Sequence, residues 1–356
     1  MRGPVGPRSA DLQPVAGLPS NARLVSAYWR TRDERRDGTE TMSLRVEGLR
    51  KRFGDVQALD GVSFAVEPGE VFGFLGANGA GKTTTMRIAL GLLRADDGSV
   101  AWQDRPAHAW PRRTWGYMPE ERGLYGRMPV LDQLVFFASL YDVSRKRARA
   151  DALAWLARFR IADLADRRAE TLSKGNQQKV QFVATVLHDP DVILMDEPFA
   201  GLDPVNVALL KSALLEMRER GKTLVFSTHQ LDMAEELCDT VAIIDHGRLV
   251  TAGPTRDVKR STGHQVVRLA TTTDGDLDWL RALPHIQVTR PGRDFTELHV
   301  DAGTDPQVIL RTAVGRGDDV LRFEVADPSL EEVFVERVGA LDVEEKTLAA
   351  PVEVRV

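Results

Sequence analysis

A single cysteine, Cys238, leaves this chain of 356 residues unable to form an internal disulfide. A reducing compartment is therefore the expected setting, and Cys238 is expected simply to pack. Long apolar runs are missing too. No stretch approaches the roughly 18–20 consecutive apolar residues that cross a bilayer, and short runs such as residues 192–195 and 241–244 suit buried strands instead. A marked excess of either charge is missing as well: with 47 Lys and Arg against 52 Asp and Glu, a formal net −5 gives no general attraction to nucleic acid or anionic lipid. Residues 1–41 lack a sustained hydrophobic period and the central apolar run of a secretory signal. Their acidic Asp33, Glu34, Asp37 and Glu40 do not suit a transit peptide. They are expected to form a disordered extension, and the structured-looking sequence that follows Met42 raises that methionine as a candidate for the real start.

What remains is an ordinary globular balance, 43% hydrophobic and 28% charged, long enough at about 150 residues per domain for two or three units. Residues 44–46, 57–59, 62–66 and 71–75 read as strands, the last apolar enough to be covered on both faces. A helix is expected over 83–93, and Asp97-Gly98 as a tight turn into a strand at 100–102. Residues 130–187 read as largely helical, and buried-type strands return at 192–195 and 223–227. After Gly253-Pro254 the pattern changes to strand 265–269, helix 276–283, strands 285–289 and 296–300, helix 306–312 and strand 320–325. A closing helix is expected over 330–338.

Chemistry concentrates first in Gly76-Ala77-Asn78-Gly79-Ala80-Gly81-Lys82-Thr83, a phosphate-binding loop between a strand and a helix. Glycines let backbone N–H groups close around phosphate oxygens, and the helix aims its positive end at them. Lys82 neutralises charge, and Thr83, followed by Thr84, offers a hydroxyl to Mg²⁺. The second element is the apolar run Val192-Ile193-Leu194-Met195, which delivers Asp196 and Glu197 at a strand's C-terminal end, where ligands bind in open α/β sheets. Asp196 suits the metal. Glu197 suits the water that attacks a γ-phosphate.

Loop and acidic strand alone fit many nucleotide enzymes, but Leu172-Ser173-Lys174-Gly175-Asn176-Gln177-Gln178-Lys179 resembles the signature segment of the ABC ATPase family. The resemblance extends through Phe199-Ala200-Gly201-Leu202-Asp203, Ser227-Thr228-His229, and Phe53 ahead of Gly54. It implies an α/β P-loop NTPase of the ABC type over residues 42–255, with an antiparallel β subdomain and a helical insertion at about 128–187. A small ferredoxin-like α+β domain at 262–340 and a flexible tail at 341–356 complete the expected organisation. The C-terminal Asp327-Pro328-Ser329-Leu330-Glu331-Glu332-Val333-Phe334 and the run Glu120-Glu121-Arg122-Gly123-Leu124-Tyr125 resemble the subgroup of ABC-2-type and sodium-efflux-like exporters.

In that family Glu197 and His229 would act in hydrolysis with Lys82, and Thr83, Asp196 and Glu120 would serve Mg²⁺. ATP would contact Phe53, Gly76, Asn78, Gly79, Ala80, Gly81, Lys82, Thr83 and Thr84, and, from the facing copy, Ser173, Gly175, Asn176 and Asp203. The implied partners are an integral membrane permease and a second copy or homologous ATPase, at the cytoplasmic face of the membrane, with no nucleic acid expected. Glu120 stands where the family has glutamine. A carboxylate can serve a metal but cannot donate an amide hydrogen bond, which leaves a catalytically idle binding subunit as one alternative. A soluble ABC protein acting on ribosomes or nucleic acid is another. Such proteins carry two ATPase units or a long coiled coil, and this sequence has one phosphate loop and no heptad array.

Overall fold

A computed structural model describes residues 44–272, 278–291 and 294–349. The extension expected at 1–41 lies outside the described residues. The centre of the molecule is a six-stranded sheet in the order Arg248–Pro254, Thr240–Asp245, Val71–Leu75, Thr223–Thr228, Val192–Asp196, Trp115–Met118. Its neighbours pair in parallel except the antiparallel pair Arg248–Pro254 and Thr240–Asp245. Every residue of Val71–Leu75, Val192–Asp196 and Thr223–Thr228 is buried, because helices or a second sheet cover both faces.

On one face lies an antiparallel sheet built on the hairpin Leu44–Phe53 and Val56–Val66, extended by Asp97–Trp102 and Arg105–Pro106. Between the sheets sits the helix Lys82–Ala89 in a core that includes Phe64, Phe72 and Phe74, with Phe64 5.0 Å and 5.2 Å from the other two ring centres. On the other face pack the helices Val130–Ser139, Arg145–Arg158, Lys174–Val186 and Pro204–Glu219, burying Leu134, Leu156, Phe182 and Leu214. The C-terminal unit is an antiparallel four-stranded sheet in the order Ile286–Pro291, Thr296–Asp301, His264–Thr271, Val320–Ala326. Helices Asp278–Arg281 and Gln307–Gly315 bury Leu280 and Ile309 with the sheet's Val267, Leu298 and Val300. The closing helix, Leu330–Ala349, returns to the first unit, where Leu330 and Val333 are fully buried in the main core.

Several expected elements change on folding. The two short strands expected at 57–59 and 62–66 are one continuous strand, Val56–Val66. Residues Asp97 and Gly98, expected as a turn, belong to a strand. Gly98 has φ +87, at a register shift, and a Cβ there would lie 2.5 Å from the Glu47 carbonyl oxygen. The helix expected to reach residue 93 stops at Ala89, because Gly91 takes φ +65 and its N–H closes on the Ile88 oxygen at 2.8 Å. Trp115–Met118 is a strand that the sequence pattern did not announce. The closing helix runs eleven residues past the expected 338, so the tail expected from 341 is helical to Ala349; residues 350–356 lie outside the described residues.

The edge strand Trp115–Met118 approaches the helix Lys174–Val186 so closely that a Cβ on Gly116 would sit 2.8 Å from the Thr185 oxygen and 2.9 Å from Pro190 Cγ. Gly116→Ala is therefore expected to cost about 1–3 kcal/mol in denaturant unfolding, from overpacking against backbone. Cys238 is buried, and burial, followed by the charges of Asp239 and Glu70, pushes its thiol well above the ordinary range. Thiol-reactive reagents are expected to label Cys238 only after denaturation, measured by mass shift over time.

Candidate functional site

Three strands of the central sheet end at the same edge, and each hands over a different chemical group. Val71–Leu75 runs into the loop 76–81, which turns into the helix Lys82–Ala89. Two glycines there are spatial necessities. A Cβ on Gly76 would lie 2.3 Å from the Ile244 oxygen. One on Gly81, at φ +110, would lie 2.7 Å from Leu59 Cδ2 and 2.8 Å from the Ala58 oxygen. Asn78 and Gly79 are exposed at the crest, while Ala80 is buried.

Lys82 folds back into its own loop, donating to the Gly76 oxygen at 2.7 Å and the Ala77 oxygen at 3.1 Å. Its Nζ lies 3.8 Å from Glu197 Oε1. Burial lowers the pKa of this ammonium, against the opposing pull of Glu197, Asp196 and Glu120. Val192–Asp196 ends on the two carboxylates, and they diverge. Asp196 stays in the sheet, accepting from Thr83 Oγ1 at 2.6 Å and from Ser227 Oγ on its other oxygen. Glu197 takes φ +49, a sparsely populated conformation for a residue with a side chain. Its backbone N–H donates to the Ser227 oxygen at 3.1 Å.

The third strand, Thr223–Thr228, fixes the Glu197 side chain. Thr228 Oγ1 donates to Oε2 at 3.1 Å, the His229 backbone N–H donates to Oε1 at 3.1 Å, and His229 Nδ1 lies 2.9 Å from Oε1. The carboxylate is 6% exposed, whereas the imidazole is half exposed. These groups line a cleft of about 380 Å³ bounded by Ala58, Asn78, Gly79, Gly81, Lys82, Thr83, Thr84, Glu120, Asp196 and Glu197. Of the expected site residues, Gly76 and His229 join it through Lys82 and Glu197 respectively.

Others stand apart. Phe53 does not line the cleft; its ring is 48% exposed, with Lys51 Nζ 5.4 Å from its centre. Ser173 caps the helix Lys174–Val186 by accepting from the Asn176 N–H at 3.3 Å, with Ser173 and Lys174 exposed. Lys174 has no positive φ. Gly175 faces a second cap: a Cβ there would meet Asn206 Nδ2 at 3.3 Å, and Asn206 binds Asp203 through its side-chain and backbone N–H at 2.6 Å and 2.9 Å. Thus the exposed Ser173 and Asp203 and the half-buried Gly175 and Asn176 share one patch outside the cleft.

Sequence reasoning named His229 but passed over Ser227 and Thr228, whose hydroxyls hold the two carboxylates; their position at the strand's end was the available signal. It also passed over Gln181, whose amide donates to the oxygens of Pro119 at 2.7 Å and Glu121 at 3.2 Å and so fastens the loop carrying Glu120. Beyond that loop Tyr125, Phe136 and Phe137 form an aromatic cluster, with Tyr125 stacked on Phe137 at 5.6 Å and Tyr125 53% exposed.

Comparison with known proteins agrees with this arrangement. Residues 59–200 match the ABC transporter family, and residues 253–338 match the C-terminal domain of DrrA1-3-like ATP-binding proteins. An uncharacterized ABC transporter ATP-binding protein of Bacillus subtilis, YhaQ, is 41% identical over 84% of this chain and 99% of its own length. A fluoroquinolones export ATP-binding protein of Mycobacterium tuberculosis is 33% identical over 85% of this chain and 95% of its own. A solved structure of the ATP-binding subunit of an ABC transporter superposes with a TM-score of 0.58 at 30% identity, covering 67% of this chain and 98% of that one. Identity of 41% along nearly the whole length of YhaQ shows that the chain belongs to the ABC transporter ATP-binding proteins and is the ATPase subunit of such a transporter.

Proposed function

We propose that the cleft binds ATP through residues 76–84 and that two copies close face to face, each covering the nucleotide held by the other. The observation that carries this reading is the three-point seating of Glu197, 3.8 Å from Lys82, beside a cleft that none of the signature residues line. A pocket so equipped on one side needs its other wall from elsewhere. The patch of Ser173, Gly175, Asn176 and Asp203 supplies it: an N-terminal helix end offers N–H donors and positive dipole to a γ-phosphate.

In hydrolysis Glu197 holds the attacking water and takes its proton as the oxygen–phosphorus bond forms and the bond to the leaving ADP breaks. Lys82 and His229 stabilise the charge that builds on the transferred group. Thr83, Asp196 and Glu120 would hold Mg²⁺. Their hydroxyl and carboxylate oxygens are the hard donors that ion prefers. When bound, the ion neutralises β- and γ-phosphate charge. Phe53, exposed at a strand end, would meet the adenine ring.

Closure and reopening would drive a separate membrane permease, the kind of partner with which ABC transporter ATP-binding subunits work; no helix among the described residues is long and apolar enough to cross a membrane. The contact surface we assign is the stretch 120–126 with the aromatic cluster of Tyr125, Phe136 and Phe137. Bound to such a permease, the chain would lie at the cytoplasmic face of the membrane. By analogy with the relatives named for export, the work done is export. We further infer that the C-terminal unit is ferredoxin-like, a reading supported by its strand–helix–strand–strand–helix–strand sequence and its antiparallel strand order.

Replacing Glu197 with Gln removes the base while keeping an oxygen for Thr228. ATP turnover is expected to fall at least about a hundredfold, with ATP binding retained and an ATP-dependent dimer appearing in sizing experiments. A persistent monomer with ATP would contradict face-to-face closure. Mixing a Ser173→Arg chain with a Lys82→Ala chain, each inactive alone, is expected to restore turnover from the one intact composite site, measured by phosphate release; no rescue would confine each site to a single chain.

A further inference from the structure

The two outer strands of the C-terminal sheet end differently. Ile286–Pro291 is blunted by a register shift between Val288 and Arg290 and by its terminal proline, the usual devices against edge-to-edge pairing. Val320–Ala326 has neither proline nor lysine. It pairs with His264–Thr271 on one side, and among the described residues no backbone group bonds to its other side. Its one irregularity is a register shift at Leu321. Val320 and Phe323 pack in part against the unit's own core, but Leu321 is 70% exposed and Val325 38%, and Val314 on the helix Gln307–Gly315, which packs on this strand, is 61% exposed.

The sequence of this edge is its own complement. Laid antiparallel against itself about Phe323, it sets Leu321 opposite Val325, Arg322 opposite Glu324, and Phe323 opposite Phe323. Each apolar residue meets an apolar one, and each charge meets its opposite. Moving the two-fold to residue 322 or 324 would face Arg322 or Glu324 with its own copy. A one-residue slip would put side chains of opposite sheet faces across from each other. Within one chain Arg322 already binds Glu324, and Arg268 Nη1 donates to Glu324 at 3.3 Å, so both side chains are held at the edge's surface.

We propose that this edge pairs with the same edge of a second copy, joining two four-stranded sheets into one eight-stranded sheet across a two-fold axis. The contact is isologous, as in most homodimers. It is independent of nucleotide, so it would hold two copies together between rounds of ATP-driven closure. A seven-residue edge is small beside the roughly 1,200–2,000 Å² of a standard stable interface, so the pairing is weak and reversible.

The test is sedimentation of the full chain without nucleotide, over a concentration series reaching the high micromolar range. The wild type is expected to dimerise with concentration. Arg322→Glu faces Glu with Glu across the axis, and Glu324→Arg faces Arg with Arg, so each variant alone is expected to dimerise at least about tenfold more weakly. Mixed together, the two variants place Glu opposite Arg at both positions and are expected to form a heterodimer. That recovery cannot come from repair within a chain, since neither chain holds an Arg322–Glu324 pair of its own. A monomeric wild type, unaltered dimerisation of both variants, or absence of the heterodimer in a mixture whose components melt as folded proteins would each overturn the proposal. Failure here leaves the ATP-dependent dimer of Glu197→Gln untouched, because that contact is read with nucleotide and through other residues.

Discussion

Asp196 is the tie on which the site's shape depends. It accepts a hydroxyl from Thr83, at the start of the phosphate-loop helix, and another from Ser227, on the neighbouring strand, so three separate chain segments are pinned at one carboxylate. A buried carboxylate with a single donor would be costly, whereas two donors satisfy both oxygens and fix the strand ends against each other. Because Asp196 holds the sheet line, Glu197 can leave it. The turn to φ +49 costs of the order of 1–3 kcal/mol and is sustained by Thr228 and His229 on the other side. Strain and seating therefore belong to one design: two adjacent carboxylates, one anchored in the fold and one presented to the cleft.

The chemical half of this site was legible in the sequence because each part is local. A glycine-rich loop between a buried strand and a helix, and an apolar strand ending in Asp196-Glu197, declare themselves by residue type and order. The central strands were legible for the same reason, since strands covered on both faces read as unbroken apolar runs. What escaped depends on contacts distant in sequence. Trp115–Met118 has only four residues and a glycine in its middle, and it becomes a strand by pairing with Val192–Asp196, more than seventy residues away. Gln181 looks like one more polar helical residue until its amide is found on the Pro119 and Glu121 oxygens. The end of the phosphate-loop helix was misjudged because apolar spacing continues past Gly91, while the backbone conformation of that glycine does not.

Distribution matters as much as composition. Residues from the stretch 78–84 and the carboxylates Asp196 and Glu197 line one cleft, while Ser173 and Asp203 cap two helices that meet at a patch outside it. Under the proposed face-to-face closure, this separation is why a single copy would carry only part of a working catalyst. The helix Lys174–Val186 bridges the two regions, since Ser173 caps it, Gln178 donates to the Pro198 oxygen at 3.0 Å, and Gln181 fastens the loop of Glu120. Movement of that helix would be felt at the patch, at the acidic strand's exit and at the cleft wall together.

The burial of Leu330 and Val333 in the main core has a consequence for biosynthesis. A ribosome releases the chain from its N-terminus, and domains ordinarily close as they emerge. Here the nucleotide-handling half cannot finish its interior until a segment about 250 residues downstream of the phosphate loop has been made and has folded back past the small C-terminal sheet. The nascent ATPase therefore waits, incompletely packed, for nearly the whole of its translation. The interior of the first unit is thus completed by one of the last segments to be synthesised.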